Sequence, residues 1–235
     1  MLYVALRYGY ILYELLSMPS LFLKESPASF STSALYGENC RAFQFVHAQG
    51  DCGSCMALAS STAYGMRACK LGLNRVPSHY LMLDCSTGDC VVGMGVMDVS
   101  RILLKGLPDV LDSPPAYAWG CKIAENLRLY KISHHSVVCS VKAIKDELMR
   151  GGPLVYAVQL SSSFLDYKGG IYSDTLTNAL LEAPHAMVVT GWVDATHNES
   201  SYWTVWNSWS SEWGENGQAR IDMHHTECMI ALHVM

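Results

Sequence analysis

From Ser54 to Leu71 the chain carries small and apolar residues without a proline, among them Ala57, Leu58, Ala59, Ala63, Met66 and Ala68, and Gly72 follows as a stop. That pattern predicts a buried helix. Weaker helical patterns cover Ser78 to Leu83 and Met97 to Leu104, separated by Cys85, Gly88, Cys90 and Gly93, and Val141 to Arg150 reads as an amphipathic helix. After Gly151-Gly152-Pro153 the period shortens. Leu154 to Val158, Ala186 to Trp192, Tyr202 to Trp206 and Gln218 to Ile221 are short, rich in β-branched or aromatic residues and bounded by turn residues, which predicts strands. A helical half followed by a β-rich half is an α+β arrangement. No internal repeat or low-complexity linker interrupts it, so the chain reads as one unit over 26–235 behind a short extension, mainly helical over about 26–150 and mainly β over 151–235.

The extension, residues 1–25, is apolar from Leu2 to Leu23 but broken by Arg7, Glu14 and Pro19, where a clean membrane span would lack charge. Arg7 ahead of Ile11 to Leu23 has the look of a signal peptide, without a convincing small-residue cleavage site. Four readings stand for it: a signal, a membrane anchor, a propeptide remnant, or a docking arm for a protein partner.

Half of the residues are hydrophobic, enough for one large domain or two lobes with a real core, and the net charge is −5 without basic clusters. That excludes a nucleic-acid surface and favours peptide as substrate. Nine cysteines are many for a reducing compartment, and the odd total suits one reactive thiol among paired ones. Asn198-Glu199-Ser200 is a glycosylation sequon of little weight by itself.

The chemistry gathers around Gln49-Gly50-Asp51-Cys52-Gly53-Ser54-Cys55. Cys55 opens the predicted helix, where the helix dipole lowers a thiol pKa, and the Gln49 amide stands six residues behind it. Far downstream come Pro184-His185-Ala186 and Asn207-Ser208-Trp209, which supply a base and an amide to orient it. In this reading Cys55 is the nucleophile, His185 the proton carrier, Asn207 its orienter, and Gln49 with the Cys55 N–H the oxyanion donors. Cys52 and Cys55 also have the spacing of a zinc ligand pair or a redox motif, and His224-His225 lies downstream. Without a second close cysteine pair or a βαβ context, no metal site and no cofactor is expected. Ser60-Ser61 and Ser161-Ser162-Ser163 lack the flanking glycines of a serine nucleophile elbow.

Cysteine, histidine and asparagine in this order, with Tyr167-Lys168-Gly169-Gly170-Ile171-Tyr172 and Ser208-Trp209 through Gly217, resemble the papain-like cysteine peptidases of family C1, nearest the cathepsin B and cathepsin X types. The resemblance covers about residues 26–235 and begins at Pro27-Ala28-Ser29-Phe30. It implies two lobes, helical then β-rich, with the active site in the cleft between them. It implies the disulfides Cys52 with Cys90, Cys85 with Cys121, and Cys40 with Cys69, leaving Cys139 and Cys228 unassigned beside Cys55. It casts Trp209 as an indole shield over His185 and Gly93 as a substrate-backbone contact. It also implies a lysosomal or secreted location. Near the C-terminus, His233 and Val234 are candidates to approach the specificity pocket.

Several positions depart from the family pattern. Met56 replaces an aromatic residue, Val92 a glycine, and Val193 another glycine; Pro184 precedes His185, and no Asp-x-Arg follows the domain start near Ser31 to Ser33. The stretch from Cys90 to Gly152 lacks room for the long occluding loop of cathepsin B, so endopeptidase action is expected. His134-His135 reads as an exposed segment. The alternative to an active enzyme is a papain-fold subunit or binding protein of weak or no activity.

Overall fold

The structure is a computed structural model that describes residues 26–113, 115, 117, 120–173 and 183–235. The readings of the extension, residues 1–25, lie outside it. No helix of the described residues is long and apolar enough to cross a membrane.

The helical half contains α1 (Thr32–Tyr36), α2 (Arg41–Gln44), α3 (Cys55–Lys70), α4 (His79–Asp84) and α5 (Val96–Lys105), and α6 (Val141–Arg150) follows later in the chain. The strands are β1 (Ser29–Ser31), β2 (Ile132–Val138), β3 (Leu154–Leu160), β4 (Ile171–Tyr172), β5 (Ala183–Val193), β6 (Tyr202–Trp206), β7 (Gln218–Asp222) and β8 (Met229–Val234). They form one sheet in the order β2-β8-β3-β5-β6-β7-β4, with β1 on β5, and only β4 and β7 run parallel. This is the α+β arrangement expected, with helices first and most strands after them.

α3 is the axis of the helical half. Its residues from Met56 to Ala68 are all buried, which explains why it reads as apolar on every side. Gly65 lets it pack tightly, since a Cβ there would lie 2.8 Å from Val76 Cγ2 and 2.9 Å from Ala42 Cβ. Ser78 caps α4 and Ser140 caps α6 by accepting from the N–H three residues on, as serine does at helix starts.

The strands' alternation divides the core in two. Val155, Ala186, Val188, Ile230 and Leu232 face the helical half. Leu154, Tyr156, Met187, Val189, Met229 and Ala231 face the second core with Phe164, Trp192 and Trp203. Successive strand side chains point to opposite faces, so each strand serves both cores at once.

One buried ion pair ties α3 to α6 and to the entry of β3. Arg67 Nη2 lies 2.7 Å from Glu147 Oε1, with the two side chains 4% and 5% exposed, and Arg67 Nη1 donates to the carbonyls of Gly152 and Pro153 at 3.2 Å each. Arg150 holds the other Glu147 oxygen at 3.2 Å. Burial pushes the Glu147 carboxyl up, but the hydrogen bonds and charges of Arg67 and Arg150 outweigh it and leave the group below its usual value.

β1, β2, β4 and β8 and the short helices α1 and α2 were not expected. His134-His135, read as an exposed segment, is strand β2, paired with β8 through His134↔His233 and His135↔Leu232. A polar, half-exposed edge strand carries no alternating apolar signal, and its partner settles its conformation.

Candidate active site

Cys55 is the first residue of α3 and the only free cysteine among the described residues. The turn before it is locked by the Cys52–Cys90 disulfide and by the Gly53 N–H donating to the Cys90 carbonyl at 2.7 Å. This bond occupies Cys52, so the Cys52-x-x-Cys55 spacing is neither a metal pair nor a redox couple here. The Cys55 sulfur meets a backbone hydrogen bond from Ala186 of β5. Burial pushes the thiol up, and the backbone bonds of Ala186 and Met56 pull the other way.

His185 sits on β5 immediately before Ala186 and is 7% exposed. Its Nε2 lies 2.7 Å from Asn207 Oδ1. Burial pushes the imidazole down, opposed by the Asn207 bond. Each group alone therefore prefers to be neutral. The low polarity that disfavours a lone charge strengthens attraction between opposite ones. With Nε2 committed to Asn207, Nδ1 is the ring nitrogen outside that bond. Trp209 stacks on the ring, centroids 4.5 Å apart, and Trp213 meets Trp209 edge-on at 5.2 Å.

Asn207 and Gln49 are held as one unit. Asn207 Oδ1 also accepts the Ser208 N–H at 2.8 Å, which fixes the amide's orientation. Ser208 Oγ donates to Gln49 Oε1 at 2.6 Å, and the Gln49 N–H donates to the Ser208 carbonyl at 2.9 Å. Gln49 Nε2 donates to the Cys52 carbonyl at 3.0 Å, leaving its second N–H for another acceptor. A bridge between Ala48 and Trp209 fastens the two loops.

Cys55 and His185 line one cleft of about 360 Å³ between the two halves. One wall is Gly53, Val91, Val92, Gly93 and Met94; the other is Ala157, Val158, Gln159, Pro184 and Ala186, with Glu227 joining them. Gln49 and Trp209 are outside this lining and reach it through Ser208 and His185. Gly93 has φ +71° and a Cβ would fall 2.9 Å from the Gly53 carbonyl oxygen, which accounts for glycine at this position. Its N–H is given to the Asp89 carbonyl at 2.8 Å, within a bridge between the two residues. Asp89 Oδ1 accepts the N–H groups of Val91 and Val92 at 2.8 and 3.0 Å, and those side chains stand 90% and 76% exposed at the rim.

Two sequence readings need correction. Cys139 and Cys228, left unassigned, form a fourth disulfide beside Cys40–Cys69, Cys52–Cys90 and Cys85–Cys121. Their 89-residue separation hides that they stand opposite each other just beyond the Val138↔Met229 pair of β2 and β8. His233 and Val234 do not line the cleft. His233 stacks on His134, centroids 4.0 Å apart, and bonds Ser136 Oγ at 2.8 Å. Glu227 lines the cleft instead, a residue without any distinguishing local pattern in the sequence.

The fold and the site together define a protein of the cysteine-protease class built as two lobes around a cleft. Residues 27–235 match the family described as papain family cysteine protease, and the chain belongs to that family. It is 29% identical over 200 residues to cathepsin B-like CP1 of Giardia intestinalis, covering 77% of this chain and 64% of that protein. With cathepsin B-like CP3 of the same organism it is 31% identical over 205 residues, covering 80% of this chain and 67% of that one. The chain thus spans about two thirds of the length of these relatives. A procathepsin B S9 structure from Trypanosoma congolense shares the fold, with a TM-score of 0.78, 20% identity, and 91% of this chain and 79% of that one covered.

Proposed function

We propose that the chain is a cysteine endopeptidase acting through an acyl-enzyme. The observation that carries this reading is one unpaired cysteine, at a helix N-terminus, sharing a cleft with an imidazole held by a buried asparagine. The Cys55 thiolate attacks the scissile carbonyl carbon, forming a C–S bond while the carbonyl oxygen takes the negative charge. The free Gln49 N–H and the Cys55 backbone N–H stabilise that oxygen. His185 gives its proton to the amine, the C–N bond breaks, and the amine leaves. Water then attacks the thioester, passing a proton to His185; the C–S bond breaks and the acid departs. Trp209 keeps bulk water from the His185–Asn207 bond.

Glu227 is the one carboxylate among the described residues lining the cleft, and the rest of the lining is largely apolar. A peptide with a cationic side chain entering beside Glu227 is the substrate class that this favours. Four disulfides suit an oxidising compartment, lysosomal or secreted.

The test is labelling of the wild type and Cys55→Ala by an epoxide of the E-64 type, read by intact mass, with a fluorogenic peptide assay alongside. Labelling and turnover that both disappear in Cys55→Ala support the proposal. A folded wild type that neither labels nor cleaves refutes it and leaves a papain-fold binding protein.

A further inference from the structure

We propose that the Cys139–Cys228 disulfide is a positioning element for substrate recognition, fixing Glu227 at the cleft so that its carboxylate can select a cationic side chain. This rests on the peptidase reading above and adds to it a part that works through Glu227 and not on the reacting atoms.

Glu227 occupies the short link between a 3-10 turn, Met223–His225, and β8. The link is held on both sides of it. Before it, Trp203 Nε1 donates to Thr226 Oγ1 at 3.0 Å, and Thr226 Oγ1 donates to the Met223 carbonyl at 2.6 Å. After it, Cys228 is bonded to Cys139, with Cα atoms 4.0 Å apart. The Tyr156 phenol takes a backbone hydrogen bond from Glu227 itself. The carboxylate joins none of the ion pairs among the described residues, and Glu227 lines the cleft.

The placement of the disulfide shows what it restrains. Both of its cysteines are exposed, so it adds little to either core. Through five consecutive pairs from His134↔His233 to Val138↔Met229, β2 and β8 already hold each other in register. The additional restraint therefore falls on the residues just beyond the ladder, and Glu227 is the cleft residue among them. A recognition group held in its bound position loses less freedom on binding than a mobile one, and the gain appears in affinity for the side chain it contacts.

The test compares wild type with Cys139→Val/Cys228→Val on two peptides that differ only in the residue placed beside Glu227, arginine or norleucine. We expect kcat/KM for the arginine peptide to fall about tenfold, mostly through KM, and that for the norleucine peptide to stay within about twofold. Glu227→Gln should cost the arginine peptide about tenfold with the disulfide present and less than about threefold without it. An equal fall for both peptides, or an arginine preference untouched by loss of the disulfide, overturns the proposal. A wild type that cleaves neither peptide defeats the peptidase reading itself. Should the double variant not fold, the wild type is assayed during mild reduction and its thiols mapped by alkylation. Release of Cys139 and Cys228 should then bring the same selective loss, and their release with the preference intact overturns the proposal.

Discussion

Replacing Arg67 by methionine tests how the two halves are joined. The Arg67 side chain is 4% exposed, and its guanidinium pairs with Glu147 at 2.7 Å and donates to the carbonyls of Gly152 and Pro153. Two unit charges about 4 Å apart attract by about 4 kcal/mol at an effective dielectric of about 20. Methionine keeps much of the packing but leaves the Glu147 carboxylate buried with only the exposed Arg150 beside it, a loss of about 3–5 kcal/mol at pH 7. The loss depends on pH. In the wild type Glu147 titrates below its unfolded value, so its contribution is present above that value and is lost as pH falls through the folded pKa. Without Arg67, burial raises the same carboxyl, and protonation relieves the variant. Urea unfolding at pH 7 and pH 4 should show the gap between wild type and variant shrinking by about 1.4 kcal/mol or more. Adding Glu147→Leu should recover most of the loss, since a buried pair replaced whole by apolar residues is often close to neutral. A gap that stays constant with pH, or a double variant no better than the single, would refute the assignment of this pair as the source of the stability.

Asn207→Ala should lower kcat by about 10- to 100-fold with KM little changed, because the imidazole loses its orientation and not its substrate; steady-state kinetics on one fluorogenic peptide checks this. His79 is 4% exposed and burial, aided by His47, pushes it down to about 3, so it stays neutral in the folded protein while the unfolded chain protonates below about 6.5. Stability is therefore lost as pH falls below that value, by about 2 to 3 kcal/mol at pH 4.5 from this residue, and His79→Leu should remove that part of the acid sensitivity in urea melts at pH 7 and pH 4.5. Gly93→Ala should cost about 1–3 kcal/mol in thermal unfolding, because it must strain a φ of +71° and press the Gly53 carbonyl; an unchanged Tm would contradict this backbone geometry.

Much of the frame was legible from pattern. The buried helix over Ser54 to Leu71 appears as Cys55–Lys70, and the four expected strands appear within Leu154–Leu160, Ala183–Val193, Tyr202–Trp206 and Gln218–Asp222. Long apolar runs and β-branched clusters are read locally because burial requires them whatever they pack against. The edge strand β2 was missed for the opposite reason. Its residues are polar and half-exposed, and only pairing with β8 makes them a strand.

The site divides along the same line. Cys55, His185, Asn207 and Gln49 stand in motifs with unusual neighbours, so the residues themselves identify them as candidates. Glu227 and the Cys139–Cys228 link have no such mark. Cys139 and Cys228 are brought together by strand pairing across 89 residues, and Glu227 becomes a cleft residue only because β8 starts where it does. Local pattern was enough for the class of fold and for the candidate reactive groups, since helix burial, strand periodicity and thiol chemistry act over short stretches. Which charge lines the cleft and which cysteines bond emerged from the tertiary structure, because those depend on distances between segments that pack together far from each other in the chain.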